Sequence, residues 1–309
     1  MKPLLFLAAL LTPAFAQDLG GDLTLHRLLI EGESWDLVNN TADTIDAMTA
    51  DAEGNVYFSA IGREQPGVYR VGPHGTATRI SAERVAGMQF APDGRLICAE
   101  SGPAGRLFAL RPGADEIEVL ATGVSATAVA VSAACRVYLV EGAKHEVHLL
   151  DLATKQSRVV LKGGMRQGAL TLSPDGGTLA VTDFDGAKVW AYRVDADGSL
   201  TGGAPYMSLR QAVNPEGEFK FHEPPPLMPA TLSRTICTDT IGRFYVGSVT
   251  GVQVFDPTGR ECGTLTQTPV QQALVACVVA GEYLYVANVR SILRRKVQAQ
   301  GWAHGGKPR

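Results

Sequence analysis

Along the chain an apolar run is followed by an Asp- or Gly-bearing turn and then by a segment of alternating apolar and polar residues, and this unit recurs. It reads Ala50-Asp51-Ala52-Glu53-Gly54-Asn55-Val56-Tyr57-Phe58, then Ala91-Pro92-Asp93-Gly94-Arg95-Leu96-Ile97, then Ala134-Cys135-Arg136-Val137-Tyr138-Leu139. Three more copies follow at Ser173–Val181, Asp239–Val246 and Gly281–Val286. With Gly54, Gly94, Cys135, Gly177, Gly242 and Gly281 taken as equivalent, the spacings are 40, 41, 42, 65 and 39. A period-two pattern bounded by turn residues predicts strands, and the absence of helical periods between them disfavours a parallel α/β fold.

Each unit is followed by a second hairpin, as in Gly67–Val71 with the turn Gly72-Pro73-His74-Gly75, Lys188–Tyr192 with Asp195-Ala196-Asp197-Gly198, and Gly251–Phe255 with Asp256-Pro257-Thr258-Gly259. Four strands in a repeat of about 40 residues predict a β-propeller blade, and six repeats predict an all-β, six-bladed β-propeller with four antiparallel strands per blade. The one long spacing assigns an insertion to Leu200–Arg234. In an up-and-down blade that connection enters the innermost strand, so the insertion is expected to overhang the mouth of the central channel. Nothing in it alternates for long, and Pro224-Pro225-Pro226 favours an extended course.

The ends read differently. Lys2, the apolar run Leu4–Leu11 and Ala14-Phe15-Ala16 have the order of a secretory signal over residues 1–16, too short to span a bilayer. The expected domains are therefore that signal, one propeller over 17–300, and a disordered tail over 301–309. The expected location is secreted or periplasmic, with no membrane span. A formal charge of −3 gives no electrostatic reason for a nucleic-acid partner. Five cysteines without CxxC spacing, an odd number that cannot pair completely within one chain, argue against a disulfide framework.

Across roughly Glu33 to Val297 the chain resembles the gluconolactonase and senescence-marker-protein (regucalcin-like) family of six-bladed propellers. The residues that carry the resemblance are Asp51–Phe58, Leu172-Ser173-Pro174-Asp175-Gly176, Lys188–Gly198 and Gly251–Gly259, in this order. The resemblance implies hydrolysis of a sugar lactone or related ester at a divalent cation (Ca, Zn or Mn) held where the innermost strands begin. It places Asp46 at the family's Glu position, Thr127 and Gln167 at two Asn positions, Ala86 at another, and Arg234 at the Asp position. Asp46 and Gln167 keep oxygen ligands for a metal. Arg234 brings a permanent cation to the same place, so no cofactor is expected unless the family site survives. A register shifted by one or two residues in blade five would offer Asp239 or Asp183 instead.

The expected chemistry divides into two classes. In the first, a gluconolactonase-like hydrolase uses Asp46 as a catalytic group, with Thr127, Gln167 and Arg234 binding a small carbohydrate-like ligand. His222, beside Glu223 in the insertion, offers a further general base. In the second, the propeller binds a ligand or partner without turning it over. Arg234 discriminates between them, and it is expected to pair with Asp46 across the mouth. His145-Glu146-Val147-His148 lacks the spacing of HExxH, and on an alternating outer strand its two histidines face opposite ways.

Overall fold

The computed structural model describes residues 19–301 apart from 41–43, 63, 101, 103–104, 115, 219, 221 and 267–272. The expected signal (1–16) and nearly all of the expected tail (301–309) lie outside the described residues. The chain forms six antiparallel sheets, four of four strands drawn from consecutive sequence and two that recruit a strand from the N-terminal segment. The innermost strands are Ile45–Ala50, Gly87–Phe90, Ala128–Val131, Gln167–Leu172, Thr235–Thr238 and Ala276–Ala280. Each contacts the next around a ring, and the sixth returns to the first. This is a six-bladed β-propeller.

The sixth sheet holds a feature that the repeats do not display. Its own sequence supplies Ala276–Ala280, Tyr283–Ala287 and Ser291–Lys296, and the outermost strand is Asp36–Asn40, paired antiparallel with Ser291–Lys296. Leu19–Gly21 likewise adds a fifth strand outside Glu261–Leu265 in blade five. A short helix, Leu23–Leu28, follows, with Asp22 capping the N–H groups of Thr24 and Leu25. Its Leu25 and Leu28 are buried where blades five and six meet.

The apolar residues form six clusters, one at each junction between neighbouring blades. A middle strand packs against both neighbours, which is why Val56–Ala60, Phe244–Ser248 and Gly251–Phe255 are buried at every position rather than alternating. Burial of a full Phe or Leu side chain contributes about 1.5–3 kcal/mol, so these junctions supply most of the driving force.

The repeated turn has a common geometry. Gly54, Gly94, Cys135, Gly176, Gly242 and Gly281 all take positive φ, and Cys135 does so at 56° without being glycine. Gly176, not Gly177, is thus the fourth equivalent position. Asp51 and Asp239 brace two of these turns alike: Oδ1 accepts the N–H groups of Asn55 and Arg243 respectively, and Oδ2 accepts the hydroxyl of Tyr57 or Tyr245.

The insertion is shorter than expected. Leu200–Ser208 is the regular outermost strand of blade four, so the added chain starts after it.

Candidate functional site

The innermost strands start on one face of the ring, opposite the face that carries the repeated turns. Six residues stand at those starts: Asp46, Ala86, Thr127, Gln167, Arg234 and Val275. All but Ala86 line a cavity of about 320 Å³ at the mouth, together with His145, Arg166 and Phe184; Ala86 lines the channel below. The structure therefore brings Asp46, Thr127, Gln167 and Arg234 together, in the register that the sequence suggests.

Two of the starts are built alike. The pairing register slips between Ile45 and Met48 and again between Gln167 and Leu170, and such a bulge leaves an amide without its ladder partner. A hydroxyl on the next strand takes it. Ser59 Oγ accepts the N–H of Ala47 at 2.9 Å, and Thr182 Oγ1 accepts that of Ala169 at 2.9 Å. Asp46 and Gln167 each sit beside such a bulge. Thr182 then donates to the carbonyl of Ser233 at 2.8 Å, tying blade four to the residue before Arg234. Leu232 at φ 53°, with the buried hydroxyls of Thr231 and Ser233 2.7 Å apart, turns the chain just before it reaches Arg234.

The electrostatics of the mouth centre on Asp46. Its side chain is 16% exposed, and burial raises its carboxyl to about 6, with the charge of Arg234 pulling the other way. The guanidinium of Arg234 is 4.0 Å from Asp46 Oδ1 and its carbon lies 5.9 Å from the centre of the Phe184 ring. Arg166 stacks on the same ring at 4.4 Å and approaches Asp185 at 3.5 Å. Gln167 is 2% exposed, and neither its Nε2 nor its Oε1 has a hydrogen-bond partner. Leaving such a group unsatisfied costs about 1–3 kcal/mol, a cost that a bound ligand can relieve.

These residues do not fit the divalent cation that the family resemblance implies. They offer one carboxylate, a weak hydroxyl and an amide, and a guanidinium 4.0 Å from the carboxylate. At that separation a unit charge repels the ion by about 4 kcal/mol per ion charge at an effective dielectric of about 20.

Several other sequence candidates lie elsewhere. Asp239 is fully buried beside the far turn, bonded to Arg243 at 2.6 Å and to Tyr245, so it is structural. Asp183 stands across the ladder from Gln167 but does not line the cavity. His222 and Glu223 are exposed on the insertion. Neither is among the cavity's lining residues, and among the described residues of the insertion only Arg234 is.

Sequence reasoning missed Arg166 and Phe184, which reach the mouth from beside the innermost strand and from the end of the second strand of blade four. It also missed a cluster in blade three. Glu146–Asp151 is a third strand, not an outer one, and its Glu146 lies opposite Glu141 on the second. His148 Nε2 is 3.0 Å from Glu146 and 3.7 Å from Glu141. The three side chains offer ligand atoms within 4.8 Å of one another. Lys144 pairs with Glu141, and Lys162 with Glu146 at 3.0 Å. Facing histidines are absent because His145 sits in a left-handed turn at φ 54°, with Nδ1 3.1 Å from the carbonyl of Met165.

No family model and no curated protein matches the sequence. Solved structures do share the architecture. The gluconolactonase XC5397 from Xanthomonas campestris superposes with a TM-score of 0.74 at 16% identity, over 91% of this chain and 95% of that one. A luciferin-regenerating enzyme gives 0.66 at 13%, over 88% and 98%. An auxiliary nutrient binding protein from Bacteroides ovatus gives 0.60 at 12%, over 91% and 76%. At these identities the likeness establishes the fold alone, a six-bladed β-propeller.

Proposed function

We propose that the mouth binds a small carbohydrate-like lactone or related ester and hydrolyses it without a metal ion, in a protein exported to the periplasm or the medium. The observation that carries this reading is a carboxylate with a pKa near 6 beside a guanidinium and an unpartnered amide in one cavity. A base of that strength is largely ionised at neutral pH and still accepts a proton in the transition state.

The ionised Asp46 takes a proton from a water molecule as that water adds to the lactone carbonyl carbon. Arg234 and the Gln167 amide stand where hydrogen-bond donors are needed for the resulting oxyanion, the part that a metal plays in the resembled family. The ring C–O bond then breaks, and the protonated Asp46 returns its proton to the leaving oxygen. A hydroxy acid is released. Thr127, exposed at the start of the neighbouring blade-three strand, supplies a hydroxyl for the sugar.

The test is gluconolactone hydrolysis followed by alkali uptake, corrected for spontaneous opening. The wild type should exceed background, and Asp46→Asn should lose about 10²-fold or more, the range of a general base. A wild type that matches background while still binding the lactone would leave the second reading, a binding propeller. That reading is favoured by the guanidinium standing where the family resemblance implies an acid. For export, N-terminal sequencing of the mature protein should start near Gln17; a retained Met1 overturns it.

A further inference from the structure

Two arginines share one aromatic ring at the mouth. Arg166 and Arg234 lie 4.4 and 5.9 Å from the Phe184 ring centre, and both line the cavity. An aromatic ring holds each cation in a fixed orientation at little cost in side-chain freedom. Against these two cations the described cavity wall sets a single carboxylate, Asp46.

Neither arginine is committed to an internal partner. Arg166 reaches Asp185 at 3.5 Å, but the two side chains are 49% and 59% exposed. Exposed pairs of that kind hold weakly and exchange readily. Arg234 stands 4.0 Å from Asp46, at the outer edge of an ion pair. In the same cavity the buried Gln167 amide has donor and acceptor both unused. A planar fork of N–H groups, doubled, with an amide beside it, is the donor set that recognises a carboxylate.

We propose that the ligand of this mouth carries a carboxylate of its own: a sugar acid, or the lactone of a sugar diacid, with that carboxylate held by Arg166 and Arg234 over Phe184. The inference rests on the proposed function for the placement of the site and for the carbohydrate class, not for turnover. It narrows the ligand from neutral lactones to acidic ones. Where such a lactone is also turned over, the same donors would meet the second carboxylate that ring opening releases, and the product would inhibit.

Calorimetric titration with glucarate, and with glucitol as its uncharged analogue of equal length, tests the proposal. Glucarate is expected to bind at least about tenfold more tightly, with the gap shrinking as salt rises from about 50 to about 500 mM. Arg166→Ala should remove most of the gap, and Arg166→Lys should restore part of it, because a point charge replaces a bidentate fork. Unchanged melting temperatures will show that these half-exposed positions fold normally. Equal affinity for the two probes, no binding of either, or a gap indifferent to Arg166→Ala overturns the proposal. Hydrolysis is read separately. Glucarate binding with no lactone turned over would sink the hydrolase reading alone, whereas turnover of gluconolactone without glucarate preference would sink the acidic ligand alone.

Discussion

Asp46, half-buried, and Asp239, fully buried, are both carboxylates next to arginines, and their surroundings give them opposite roles. Asp239 has its lone pairs taken by Arg243, Tyr245 and two backbone amides. Removing it by Asp239→Ala leaves Arg243, 6% exposed, without a counter-charge. A loss of about 3–5 kcal/mol in denaturant unfolding is expected. Burial favours the acid form of Asp46 and lifts its carboxyl to about 6, against the opposing pull of the Arg234 guanidinium 4.0 Å away. The folded state then binds more protons than the unfolded one between the ordinary value of 3.8 and about 6. Stability falls as pH rises through that window, by up to about 3 kcal/mol. Asp46→Asn should remove this dependence and stabilise the protein at pH 7, with no gain below pH ~4. Activity runs the other way, since the base must be ionised: turnover is expected to rise with pH to a midpoint near 6. A pH-rate profile and thermal melts on the same two proteins check both slopes.

Among the elements, the bulged starts of the first and fourth innermost strands set the mouth. Ser59→Ala strips the acceptor from the Ala47 amide, and Thr182→Ala that from Ala169. Each should cost about 1–3 kcal/mol. They should differ in kinetics, because Thr182 also holds the Ser233 carbonyl before Arg234. Comparing kcat/KM of the two variants tests whether that bond positions the guanidinium. Gly168→Ala is a harsher probe, since a Cβ there would fall 2.1 Å from the Ser233 carbonyl oxygen. It should lower both melting temperature and ligand affinity.

At this scale the sequence was a good guide to repeats and a poor one to contacts. The near-constant spacing exposed blade number, and through it the ring of strand starts that contains Asp46, Thr127, Gln167 and Arg234. Arg166 and Phe184 stayed hidden because they reach the mouth from outside those repeat positions, where no spacing marks them. Glu141 was hidden for a similar reason: it meets Glu146 and His148 through strand pairing rather than through a local motif. The insertion misled because Leu200–Ser208, with Gly202, Gly203 and Pro205, lacks a strand-like composition yet pairs along Lys188–Val194.

For the whole molecule, the closing blade matters most. Three of its strands come from Ala276–Lys296 and the fourth from Asp36–Asn40. Nothing in the six-fold repeat announces this, since the N-terminal strand precedes the first unit. Early and late residues of the chain therefore complete one sheet. A chain emerging from the ribosome can stack its first five blades in turn, but each stack keeps an open side until Lys296 has been made. Completion of the ring is thus delayed until the strand ending at Lys296 has been made. Fragments ending at Leu265 should be digested by trace protease under conditions in which the full chain survives. A resistant fragment would mean that five blades hold without the sixth, and that the timing of closure is set elsewhere.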